Sequence, residues 1–139
     1  MHTIAKAIVL ICTLYAAFMV NGCATGRAVM APEQQEASLR LAAEQYWNAR
    51  IEGKFEIAYA LEDKEGLPAD FTEYKLKAAQ MMKLNPQNVV IDKIAIDGQR
   101  ATVTVKFEIR VPNIAKPARK SVRDEWIFQK GKWLHRFPD

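Results

Sequence analysis

Between Ala101 and Val111 the chain alternates without a miss. Ala101, Val103, Val105, Phe107, Ile109 and Val111 share one face; Thr102, Thr104, Lys106, Glu108 and Arg110 share the other. A period of two over that length predicts a strand with one buried and one solvated face, the pattern of antiparallel sheets. Its flanks carry matching signals. Ile94 and Ile96 alternate with polar neighbours from Val89 onward, and Asp97-Gly98 is a hairpin turn. Pro112 to Lys120 reads as a loop. Val122–Gln129 and Lys132–Phe137 form a second hairpin across Lys130-Gly131. A two-residue turn there pairs Phe128 with Trp133 and Trp126 with His135 on one face, and Glu125 with Arg136 on the other.

Upstream the period is helical. Pro32 suits a first helical turn, and Glu33 and Glu36 suit the positive end of the helix dipole. Leu39, Ala42, Ala43, Tyr46 and Ala49 or Arg50 then follow 3-4 spacing up to Gly53. Phe55, Ala58, Tyr59 and Leu61 predict a second, shorter helix. Asp70-Phe71-Thr72-Glu73 has a capping-box pattern and starts a third. This helix runs to about Leu84, with Tyr74, Ala78, Met81 and Met82 inward, and Asn85-Pro86 stops it. Helices followed by strands predict an α+β fold: three N-terminal helices packed on a curved antiparallel sheet of about four strands.

The N-terminus is of a different kind. Met1–Lys6 carries one cation, and Ala7–Val20 carries no charge. Such a run is short for a bilayer span and suits an export signal. Val20-Asn21-Gly22-Cys23 resembles the lipobox of bacterial lipoproteins, with an aliphatic residue, a small residue and then the modified Cys. The resemblance implies cleavage before Cys23, a diacylglycerol on its thiol and acylation of the new amino group, with palmitate as the expected label. Acyl chains on Cys23 would tether the chain to a membrane without a transmembrane helix. Ala24, rather than Asp, after the Cys points to the periplasmic face of the outer membrane.

These boundaries divide the chain into a signal peptide over 1–22, a tether over 23–35 and one domain over 36–139. The processed chain of 117 residues is one ordinary domain. Its one Cys is the modified one, so it forms no internal disulfide. Charge is uneven: residues 23–91 hold 8 Lys/Arg and 10 Asp/Glu, whereas residues 92–139 hold 11 and 6. The basic set Lys116, Arg119, Lys120 and Arg123 reads as a solvated loop that could also meet anionic headgroups or another envelope polymer. The export signal argues against nucleic acid.

Ala43-Glu44-Gln45-Tyr46-Trp47 through Gly53-Lys54-Phe55-Glu56-Ile57-Ala58-Tyr59 resembles the opening of nuclear-transport-factor-2-like (cystatin-like α+β) domains. Asp124-Glu125-Trp126-Ile127-Phe128-Gln129-Lys130-Gly131-Lys132-Trp133 resembles their closing hairpin. The resemblance spans roughly Leu39 to Phe137 and is structural. Its members range from isomerases and epoxide hydrolases to secretion-system parts and uncharacterised lipoproteins, so it does not fix a function.

Family enzymes resembling ketosteroid isomerase place acids and a Tyr between sheet and helix. Tyr46, Tyr59, Asp124 and His135 are the equivalents to weigh, with an Asp124/His135 pair as a candidate acid or base. The plainer reading leaves His135 partly exposed near the chain end, packed on Trp126. Trp126, Trp133, Phe128 and Phe107 either line an apolar pocket or fill the core. No motif for a metal, cofactor or nucleophile stands out. The leading expectation is a non-enzymatic envelope protein that binds a partner protein or a second copy, or serves in assembly. Small apolar ligand binding in the cone between sheet and helix is the alternative, and a lipid-anchored isomerase- or hydrolase-like enzyme ranks last.

Overall fold

The computed structural model describes residues 30–65, 67 and 70–137. Cys23, the signal segment and most of the expected tether lie outside the described residues. Ala31–Asp139 is one compact unit, built from α1 (Pro32–Ile51), α2 (Phe55–Ala60), α3 (Phe71–Met82), β1 (Gln87–Asp97), β2 (Arg100–Ile109), β3 (Ala118–Gln129) and β4 (Lys132–Arg136). The three helices pack on an open four-stranded antiparallel sheet of order β1-β2-β3-β4. The expected α+β architecture is present. Among the described residues no helix is long and apolar enough to cross a membrane.

Helix α1 begins at Pro32, so its first turn already takes in the last residues of the expected tether. It ends where Gly53 takes a positive φ of 72°, a conformation that costs Gly little. Leu39, Ala43, Tyr46, Trp47 and Arg50 form its buried face. Each large apolar side chain removed from water in this way contributes about 1.5–3 kcal/mol. Asp70 caps α3 by accepting a hydrogen bond from the Glu73 amide at 2.8 Å. That helix stops at Met82, ahead of Asn85 in the left-handed region, rather than at Leu84. Met81, expected inward, is 40% exposed, whereas Tyr74 and Ala78 are fully buried.

The expected hairpin registers are present. Phe128 pairs with Trp133, Trp126 with His135 and Glu125 with Arg136. Lys130 and Gly131 both have positive φ, as a type I′ turn requires. On β2, Ala101, Val103, Val105, Phe107 and Ile109 are buried in alternation. Two boundaries differ from expectation. Val111 lies beyond β2, because Pro112 cannot donate to a ladder and the chain turns there. In addition, β3 begins at Ala118 instead of Val122, so the basic residues Arg119 and Lys120 belong to a strand rather than a loop.

Candidate functional site

The inner face of the sheet and the buried face of α1 enclose a network of polar side chains. Its centre is Glu62, which follows α2 after Leu61 and is 1% exposed. One carboxylate oxygen accepts hydrogen bonds from the Tyr46 hydroxyl at 2.8 Å and the Tyr74 hydroxyl at 3.0 Å. The other oxygen lies 2.7 Å from His135 Nδ1. Arg50 donates from Nη1 to the Tyr46 hydroxyl at 2.9 Å and from Nη2 to Met81 Sδ at 3.1 Å. Its Cζ lies 5.2 Å from the Tyr46 ring centre and 5.6 Å from that of Trp47, within cation–π range.

Local sequence explains the placement. Tyr46 and Arg50 are four apart on α1, hence neighbours on one helix face. Tyr74 lies on the inward face of α3. His135 points inward from β4 because its register partner is Trp126. Glu62 is fixed by its backbone: residues 61–63 run alongside β4 in a short parallel bridge between Glu62 and His135. There the His135 amide donates to the Leu61 carbonyl and the Asp63 amide to the His135 carbonyl, each at 2.7 Å.

A second carboxylate closes the network. Asp124 accepts from Trp47 Nε1 at 2.7 Å. Its other oxygen is 3.8 Å from His135 Nε2, an ion-pair separation too long for a hydrogen bond. The His135 ring stacks on Tyr46 with centres 4.2 Å apart and meets Trp126 edge-on at 5.4 Å. Burial alone would lower the pKa of His135, but Asp124 and Glu62 on either side outweigh it and hold the imidazole above its ordinary value. When His135 is protonated, the cluster carries two cations, Arg50 and His135, against two carboxylates, Glu62 and Asp124. Burial also pushes the Tyr46 and Tyr74 phenols up, and the Glu62 charge adds to that shift, so both keep their protons and donate.

Of the residues singled out in the sequence, Tyr46, Asp124, Trp126 and His135 come together here. His135 is 2% exposed, not partly exposed as the plainer reading had it, because the bridge from residues 61–63 covers β4. The other three sit elsewhere. Tyr59 packs on Phe71 and Tyr74, Phe107 packs on Trp47, and Trp133 packs on Phe128. Glu62, Arg50 and Tyr74 were not singled out as site residues. The available signal was the Tyr46/Arg50 spacing, which puts a cation on an otherwise apolar helix face. Among the described residues no group of His, Cys, Asp and Glu is arranged to hold a metal ion.

Chemically, the network can pass a proton between His135 and Glu62 and can tie four elements together. The space around Tyr46 is occupied by Trp126, His135, Glu62 and Arg50. A hollow of about 370 Å³ lies on the far side of Glu62, lined by Asp63, Lys64, Lys130, Lys132 and Leu134 among others. Acidic and basic side chains both border it.

The fold is shared with solved structures at low identity. The domain resembles a SEC-C-motif-containing protein from Rhodopseudomonas palustris, with a TM-score of 0.58 and 14% identity over 74% of this chain and 78% of that one. It also resembles a nuclear-transport-factor-2-like protein with a cystatin-like fold from Novosphingobium aromaticivorans, with a TM-score of 0.51 and 13% identity over 73% and 77%. A third likeness is to a putative nuclear-transport-factor-2-like transpeptidase from Campylobacter jejuni, with a TM-score of 0.50 and 13% identity over 78% and 100%. No family model matches the sequence, and no curated protein matches it. The domain therefore has the nuclear-transport-factor-2-like, cystatin-like α+β fold. That fold serves many activities and does not by itself define one.

Proposed function

We propose that the chain is a lipid-anchored protein of the cell envelope. In this reading its domain works by associating with a partner protein, or within an envelope assembly, rather than by catalysis. One observation carries the non-enzymatic half. The groups an enzyme would need already engage one another: Glu62 takes two hydroxyl donors and an imidazole while 1% exposed. A catalytic acid or base has to come within hydrogen-bond reach of its substrate, and here Tyr46, Tyr74 and His135 occupy those positions. The apolar-ligand alternative would need the volume that Trp126 and Tyr46 fill.

Association falls to the surface. Leu41 on α1 and Leu76 on α3 are 67% and 62% exposed, and aliphatic side chains left that open are available to a partner. The anchor rests on Val20-Asn21-Gly22-Cys23.

Two measurements test this. Cells expressing the chain should incorporate radioactive palmitate into it, and Cys23→Ala should abolish the label; a label that persists refutes the anchor. Native mass spectrometry of the detergent-extracted chain should show a protein adduct or a dimer. A stoichiometric small apolar molecule in its place would overturn the association reading.

A further inference from the structure

The connection from β2 to β3 plays no part in the buried network. From Ile109 to Arg123 the chain carries Arg110, Lys116, Arg119, Lys120 and Arg123 and no acidic residue. All five cations are exposed. The nearby carboxylates are engaged: Glu108 accepts from Asn88 at 2.8 Å and pairs with Arg119 at 3.4 Å, and Asp92 pairs with Lys106 at 2.8 Å. Among the described residues Arg110, Lys116, Lys120 and Arg123 make no ion pair.

The tip of this connection is built rather than loose. The Ile114 amide donates to the Val111 carbonyl at 3.2 Å, and Asn113 has φ of 65°. Pro112 in the second position and a left-handed Asn in the third is the type II turn pattern, which brings the first and fourth residues within about 7 Å. Those residues are Val111 and Ile114, 38% and 60% exposed. Two aliphatic side chains are thus held close together in water, flanked in sequence by the unpaired cations Arg110 and Lys116, with Lys120 further along β3 opposite Phe107.

We propose that this turn docks on an anionic phospholipid surface. Val111 and Ile114 enter the boundary between headgroups and acyl chains, while Arg110 and Lys116 beside the turn, and Lys120 further along β3, meet lipid phosphates. Apolar burial and electrostatic attraction combine at such interfaces. A soluble polyanion would use the cations but leave the aliphatic pair wet, and the tip offers no aromatic ring for a base to stack on. The inference extends the envelope reading, in which only residues 24–31 would separate a lipidated Cys23 from α1.

The test uses the full chain with Ile114→Trp, reconstituted into vesicles whose acyl chains carry a bromine quencher. Trp47, Trp126 and Trp133 are buried, and the parent chain supplies their background. Vesicles containing phosphatidylglycerol should quench the new Trp roughly twofold more than phosphatidylcholine vesicles, because the attraction depends on lipid charge. Adding Lys116→Glu and Lys120→Glu should remove that difference. Equal quenching in both lipids overturns the proposal. So does an emission change caused by soluble polyphosphate without quenching by the acyl chains. Failure of the Cys23 anchor appears instead as lost palmitate and leaves the charge-dependent quenching in place.

Discussion

Glu62 and His135 lie 73 residues apart in sequence and meet through both side chain and backbone. Nδ1 faces a carboxylate oxygen at 2.7 Å, and the two segments form a parallel bridge. The main chain therefore presets the geometry of the buried pair, so little freedom remains to be lost when the side chains join. Removing two charges from water is expensive, and good geometry with satisfied lone pairs is what offsets it. Glu62 meets that condition with three partners.

Removing the Glu62 carboxylate should be severe. Glu62→Ala leaves His135 and two hydroxyls without their acceptor, and breaking a buried pair this way costs about 3–5 kcal/mol. Glu62→Gln retains an acceptor and should cost less. Urea denaturation of the two variants beside the parent checks the ranking; equal midpoints for all three would show that the network contributes nothing.

Stability should fall as pH rises past neutrality. The folded state holds the His135 proton more tightly than the unfolded chain, whose imidazole titrates near 6.5 (about the ordinary value). The contribution is therefore complete below that pH and is lost as pH rises through the higher folded value. Melting temperatures measured from pH 6 to alkaline conditions should decline, and His135→Gln should flatten the decline. A parent curve that climbs over that range is incompatible with a protonated His135.

Two tyrosines should resist ionisation. Burial comes first in raising the Tyr46 and Tyr74 phenols, with Arg50 opposing and the Glu62 charge adding to the rise. Their neutral form is favoured by folding, so the stability they contribute is complete below the unfolded value of about 10 and is lost as pH climbs above it towards the raised folded values. Ultraviolet absorbance of phenolate during alkaline titration should show a lagging component that disappears in denaturant. Phe at both positions should abolish the lag; a parent that titrates alike folded and unfolded contradicts it.

Trp47 should matter beyond its size. Its indole donates to Asp124 at 2.7 Å, so Trp47→Phe keeps an aromatic ring but strips a part-buried carboxylate of a donor, at about 1 kcal/mol. It should also raise the His135 pKa further, since Asp124 is then freer to attract the imidazolium. Imidazole chemical shifts followed against pH read this directly, and an unchanged or lowered midpoint would separate Asp124 from His135 electrostatically.

Much of this fold could be read locally. The alternation at Ala101–Ile109 and the pairing of Trp126 with His135 follow from period and turn length, which depend on near neighbours. Asp70 announces α3 for the same reason. Val111 was the point where the period ran on while the chain did not, since Pro112 ended the strand. Glu62 was invisible for a different reason: a charged residue after a short helix resembles a solvated loop. Only the distant strand β4, docking alongside it, makes it the centre of the interior. Arg50 gave a partial signal, a cation on an apolar face, but its partners lie on other elements.

The order of synthesis gives the β4 bridge a further meaning. Each hairpin of the sheet can close with its own neighbour, yet β4 follows every other described element of the domain along the chain. Until it arrives, Glu62 has its two tyrosines but no imidazole, and residues 61–63 have no strand to lie against. A chain cut short before His135 would leave Glu62 without its imidazole partner and that segment unlatched. The last described strand thus completes the interior, because His135 brings Glu62 its third partner and the β4 backbone latches residues 61–63.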